Sequence, residues 1–204
     1  MLFDDTYKTI GEPTEGIFRD RGSKFIAYLY LIRSETEIKD ILNSIKALHP
    51  KARHYCWAIR LTPDRSVFRV NDDGEPSGTA GKPILNTLLS FDVTNIFAVV
   101  VRYFGGTLLG VPGLINAYKS ATIDALNNAK IINQTVNSIY KLSFDYLQMN
   151  EVMKIIKDEG LKIFHQDFDS SCSLEVEIRQ SAVNLITAKL EKIEGLHLDF
   201  IRLC

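Results

Sequence analysis

Apolar positions along this chain change rhythm from one segment to the next, and the changes mark its elements. Residues 24–32, KFIAYLYLI, are rich in β-branched and aromatic side chains and predict a strand. Ser34-Glu-Thr-Glu37 forms a capping box that starts a helix. Ile38, Ile41, Leu42, Ile45 and Leu48 repeat at helical spacing on one face, and Pro50 stops the pattern. His54–Leu61 and Val67–Val70 predict two strands joined by the turn Thr62-Pro63-Asp64-Arg65. A punctuated loop, NDDGEPSGTAGKP, leads into a helix that has Pro83 in its first turn and runs to about Leu89. Ile96–Tyr103 lacks alternation and predicts a strand buried on both faces. A second glycine-rich loop follows. Leu114, Tyr118, Ala121 and Ala125 then continue a helix to about Ala129.

Beyond a polar stretch near Ile132-Asn133-Gln134 the rhythm differs. Val136–Tyr146 predicts a strand, and Asn150 caps a helix carrying Val152, Met153 and Ile156 that ends at Gly160. Leu161–Phe164 and Ser173–Ile178 predict strands, the latter pointing Leu174, Val176 and Ile178 inward. Ser181 caps a helix with Ile186, Leu190 and Ile193, stopped by Gly195, and Leu196–Leu203 closes with a strand. The order β-α-β-β-α-β is the ferredoxin-like pattern. The expected fold class is therefore α+β in two domains, residues 1–132 and 133–204, both of ordinary size.

Composition changes this picture only at its edges. With 204 residues, 46% of them apolar and 24% charged, the chain is of globular type and long enough to bury a core. The formal net charge is −1, which argues against tight binding to duplex DNA. The first domain holds 16 basic and 14 acidic residues and the second 8 and 11, so the first is the better candidate for an anionic partner. The N-terminal residues do not read as a signal peptide, and Ile96–Val101 is the longest apolar run, too short to span a bilayer. Cys56, Cys172 and Cys204 show no metal or redox spacing, which fits reduced thiols in the cytoplasm.

Two glycine-rich segments carry the candidate chemistry. Each feeds a helix, where glycine allows positive φ and the helix start favours anions. Lys82, Arg102, Gly105, Gly106 and Lys119 are the candidates for phosphate or nucleic-acid contact. The competing reading is tight turns and close packing. Tyr103, beside Arg102, either stacks on a nucleobase or packs in the core. The expectation is that the backbone amides of SGTAG and GGTLLG converge on something negative. Asp72, Asp73 and Glu75 complicate it, since acids repel phosphate. They serve turn hydrogen bonds, a basic partner or a cation, although a calcium-loop spacing is absent. His54 and Cys56 share a strand face, as a thiol–imidazole nucleophile, the start of a metal site or core packing. His49, His165 and His197 are isolated in sequence, and no HExxH, GxSxG, Walker or Rossmann spacing occurs. No catalytic residue, metal or cofactor is assigned.

The run GKPILNTLLSFDVTNIFAVVVRYFGGTLLG, residues 81–110, resembles the signature of the IMPACT family, including bacterial YigZ-like members. DDGEPSGTAG, residues 72–81, and His54-Tyr-Cys56 are similar to it as well. The resemblance implies an N-terminal left-handed βαβ-crossover domain, like a small-subunit ribosomal protein domain and elongation factor G domain IV. It implies a second domain like domain V of that factor. Eukaryotic relatives are linked to control of translation initiation through a stress-kinase pathway, act by protein contact and lack the second domain. The leading expectation is thus a non-catalytic, translation-linked regulatory protein that binds RNA, the ribosome or a translation factor. The alternatives are a phosphate-ligand enzyme using the glycine loops with His54, Cys56 and Asp73, and a regulator that binds a basic partner through the C-terminal sheet.

Overall fold

The structure is a computed structural model that describes residues 5–168 and 172–203. Cys204 lies outside the described residues. The chain is mixed α+β and divides into two compact units, residues 7–134 and residues 135–203 together with Asp5 and Thr6.

The first unit is built on a five-stranded antiparallel sheet in the order β2-β3-β6-β4-β5. Its strands are β2 (Thr14–Asp20), β3 (Ser23–Leu31), β4 (His54–Leu61), β5 (Val67–Asn71) and β6 (Ile96–Tyr103). β6 lies at the centre, and Ile96 through Arg102 are buried without a break, as an apolar run unable to alternate requires. Ser34 and Glu37 form the capping box, and α1 (Ile38–Leu48) carries the chain from β3 to β4. Both strands run antiparallel to β6, so α1 joins two parallel strands across the one between them. Ile45, Tyr55, Ile59, Phe97, Val99 and Val101 fill the core on that face. Leu48, assigned to the same stripe by spacing, is 63% exposed at the helix end.

The opposite face is covered by α2 (Gly81–Ser90) and α3 (Gly110–Asn128), which pack on Phe25, Ala27, Leu29, Cys56, Ala58, Ala98 and Val100. Gly16 of β2 is what lets α3 come close, because a Cβ there would stand 2.1 Å from the Ala125 nitrogen. A two-stranded ribbon of β1 (Thr6–Ile10) and β7 (Ile131–Thr135) completes the set. The predicted strand Val136–Tyr146 is thus preceded by β7, and β8 (Asn137–Phe144) begins after Val136.

The second unit is a four-stranded antiparallel sheet in the order β11-β8-β10-β9, the ferredoxin-like order. Its elements are β8, α4 (Met149–Asp158), β9 (Lys162–Phe168), β10 (Cys172–Arg179), α5 (Val183–Leu190) and β11 (His197–Leu203). Leu142, Leu174, Val176 and Ile178 face the two helices and meet Val152, Ile156, Ile186 and Leu190. Asn150 and Ser181 are not caps. A 3-10 turn precedes each helix, at Tyr146–Gln148 and Gln180–Ala182; Asn150 falls inside α4, one residue past its start, and Ser181 falls inside the turn before α5. The boundary at 132/133 also assigns the first residues to the other unit. Asp5 belongs with the second because its carboxylate takes both Nε and Nη2 of Arg179, at 2.7 and 2.9 Å, and the Ser181 amide. These bonds hold its carboxyl well below the usual range.

Candidate functional site

The loop from Asp72 to Gly81 folds back on its own acids. Asp73 and Gly74 take positive φ, 42° and 84°, and the Glu75 amide donates to the Asp72 carbonyl at 2.9 Å, closing the turn. Asp72 then turns its carboxylate to the start of α2. Oδ1 accepts from the Ala80 and Gly81 amides at 3.0 and 2.8 Å, and Oδ2 accepts from Gly78 at 2.8 Å. The amides expected to meet an external anion are therefore occupied by an internal one. Asp73 Oδ2 accepts from the Tyr55 amide at 2.7 Å, and its carbonyl accepts from His54 Nδ1 at 2.9 Å.

Beneath this loop lies a buried polar cluster. Arg102 Nη1 donates to Glu75 Oε1 at 2.6 Å, both side chains being almost wholly buried. Tyr118 Oη donates to the same oxygen at 2.8 Å. The Cys56 thiol donates to the Asp72 carbonyl at 3.0 Å and to Tyr118 Oη at 3.3 Å. Burial pushes the Cys56 thiol and the Tyr118 hydroxyl far above their ordinary values, which is the reverse of an activated nucleophile. Among the described residues no three His, Cys, Asp or Glu side chains gather into a metal-holding set. The Arg102 guanidinium also lies 5.5 Å from the ring centroids of Phe25 and Phe104.

Arg102 and Tyr103 both have partners within the fold. The first is neutralised in the interior by Glu75. The second gives its hydroxyl to a hydrogen bond with His49 Nδ1 at 2.9 Å, while Tyr28 Oη meets His49 Nε2 at 2.7 Å. Gly105 is a packing glycine. A Cβ on it would stand 1.9 Å from the Gly22 carbonyl carbon, and its amide donates to Ser23 Oγ at 3.1 Å. Gly106 turns with φ 89° in open space. The residues that reach solvent are different ones. Leu108 is 81% exposed, and Phe104, Val111 and Ile115 are also exposed. Lys82 and Lys119 line one cleft of about 560 Å³ between α2 and α3, with Asn86, Ser90 and Ile115. The candidate lysines meet there, whereas Arg102, Tyr103, Gly105 and Gly106 do not line it. From Gly81 to Ile123 the sequence has one acid, Asp92, and it is engaged by Arg60 and Arg65.

Sequence reasoning missed Asp72 as the occupant of the α2 start. For Glu75 a signal was available in Arg102, since an arginine inside a doubly buried strand demands an acid partner.

Two α+β units, the first with a central strand walled on both faces and a glycine-rich segment before each of two packed helices, define the architecture of this class of protein. The Impact N-terminal domain profile matches residues 21–126. An IMPACT family member of Haemophilus influenzae is 36% identical over 176 residues, 85% of each chain. The Escherichia coli member YigZ is 36% identical over 180 residues, 87% of this chain and 88% of the relative. The Saccharomyces cerevisiae protein IMPACT homolog is 34% identical over 94 residues, 45% of this chain and 36% of that protein. A crystal structure described only as a hypothetical protein superposes with a TM-score of 0.74 at 32% identity, covering 97% of this chain and 98% of that one. This chain belongs to the IMPACT family.

Proposed function

We propose that the chain is a translation-linked regulator that works by binding rather than turnover, and that its N-terminal unit docks a protein of the translation apparatus in the cytoplasm. Family membership supports the link to translation. The observation that carries the binding reading is the division of labour within the signature. Its thiol, its arginine and Glu75 are buried and bonded within one polar cluster, while Leu108, Val111, Ile115, Lys82 and Lys119 face out. An aliphatic surface with two lysines and few acids suits a protein partner better than a nucleobase, which needs aromatic platforms.

The test is co-sedimentation of the full chain with ribosomes and their associated factors at low salt, with and without ribonuclease. Binding that survives ribonuclease and falls at least tenfold in the Leu108→Asp/Val111→Asp double variant is the expected result. Binding abolished by ribonuclease and untouched by that variant transfers the function to RNA, and no co-sedimentation removes the reading. A phosphate ligand is the second reading, favoured by the cleft that joins Lys82 to Lys119. A thermal-shift panel of nucleotides and phosphorylated metabolites tests it. A rise that needs both lysines supports it, and flat melting removes it.

A further inference from the structure

The strand order ends at β5, and β4 is its one partner among the described residues. One row of β5 amides and carbonyls therefore points away from the sheet. This edge borders a groove of about 870 Å³. Val70 pairs with Ala58 and Phe68 with Arg60, which places both on the face covered by α2. There Phe68, 60% exposed, and Val70 stand beside Leu85 and Leu89 of α2. Arg69 pairs with Ile59, whose side chain lies in the core under α1, so it occupies the other face. Trp57 and Lys82 also line it.

We propose that the β5 edge receives an extended segment of a partner protein as a sixth strand, apolar on the α2 side and acidic on the Arg69 side. The proposal rests on the protein-binding reading above and adds a second surface to it. Main-chain hydrogen bonds give such an addition its affinity, and the alternating side chains give it specificity. Five residues of edge span about 17 Å, room for a segment of five or six residues. The rim carries Arg65, Arg69 and Lys82, and the lining acid Asp72 is already held by three amides. The Arg69–Glu35 pair, 2.7 Å long, is solvent-exposed and thus readily exchanged for a partner's carboxylate. Charge also decides against a second copy of this chain. Antiparallel pairing centred on β5 would set Arg69 against Arg69, and like charges directly opposite destabilise a ladder.

The probe is acetyl-VEVEVE-amide, compared with acetyl-VKVKVK-amide, on the isotope-labelled full chain. The Glu peptide is expected to shift and protect β5 amides and to bind about fivefold more tightly than the Lys peptide. Phe68→Ser should weaken both peptides, and Arg69→Glu should invert their order. Equal affinities, protection outside β5 and α2, or no response of β5 amides at millimolar peptide overturns the proposal. So does a dimer in sedimentation velocity that Phe68→Ser abolishes, because it gives the edge to a second copy. A chain that binds the Glu peptide at β5 yet ignores ribosomal fractions keeps this proposal and loses the translation reading. The reverse result does the opposite.

Discussion

The two glycine-rich segments look alike in sequence, yet the fold uses them in opposite ways. The one before α2 carries its own anion. Asp72 closes three amides, Asp73 ties the loop to Tyr55, and Glu75 reaches the interior to meet Arg102 and Tyr118. The one before α3 has no acid in the first helical turn and no side-chain cap at Leu109. Its glycine chemistry goes into fitting Gly105 against Gly22, Leu109 enters the core, and Phe104, Thr107 and Leu108 are displayed to solvent. A glycine-rich lead into a helix is therefore not a binding motif in itself. Whether the helix start is available depends on the nearest carboxylate, and that is a property of the loop's path.

The largest expected effects break the first segment from below. Glu75→Ala leaves Arg102 buried without its acid and should cost about 3–5 kcal/mol in chemical denaturation. Adding Arg102→Met to that variant should recover most of the loss, since an apolar side chain of similar reach needs no partner. If the single variant unfolds at the parent's denaturant midpoint, the buried pair is not what anchors the loop. The second segment should respond next. Gly105→Ala forces backbone against backbone and should cost about 3 kcal/mol, while Gly106→Ala meets only the φ penalty of about 1 kcal/mol. Equal losses at the two glycines would contradict the packing role given to Gly105.

These contrasts show what was legible before any coordinates. β3, β4 and β6 were readable because long apolar runs with few interruptions have no alternative, and α1 because Ser34 and Glu37 announce it. β2 was not, because Glu15, Gly16, Arg19 and Asp20 interrupt a strand that serves the sheet edge and gives α3 a smooth surface at Gly16. β1 and β7 are five residues each and too short to show a period. In the site, the loops were visible as loops, but the cleft shared by Lys82 and Lys119 was not, because one lysine stands in the first turn of α2 and the other midway along α3. The partners of Asp72 were hidden for a geometric reason. It lies nine residues before Gly81, beyond any local capping spacing, and only the reversal at Asp73-Gly74 returns it to the helix. Arg102 and Glu75 are 27 residues apart, so their pairing belongs to tertiary structure.

Asp72→Ala sharpens the comparison directly. Losing three bonds to a charged acceptor should cost about 2 kcal/mol. The variant should also regain part of its melting temperature when phosphate replaces chloride at constant ionic strength, because the α2 start then stands open. The parent should show no such gain at α2. An Asp72→Ala protein indifferent to phosphate would mean that the amides, once freed, do not form an anion site at all.

The smallest effect concerns what holds the second segment from behind. Tyr103 stands just before Phe104, and its hydroxyl is fixed by His49, which also meets Tyr28 and gives its carbonyl to Tyr55 Oη at 2.6 Å. Burial holds the His49 imidazole below its ordinary value, with Lys24 adding to the effect and Glu15 opposing it. The folded state therefore takes up this proton less readily than the unfolded chain. Its contribution is whole above the ordinary histidine value of about 6.5 and is lost as pH falls below it. A neutral ring donates to one tyrosine and accepts from the other, whereas a charged ring can only donate, so one of the two hydroxyls must turn. Melting temperature followed from pH 8 to pH 5 should fall through this window in the parent and fall less in His49→Gln. Amide exchange should rise at Tyr103 and Phe104 before it rises at Asp72 to Gly81, whose anchor is the Glu75–Arg102 pair. Loss of both segments together on acidification would show that the two are one cooperative unit and that their difference is confined to the solvent-facing side.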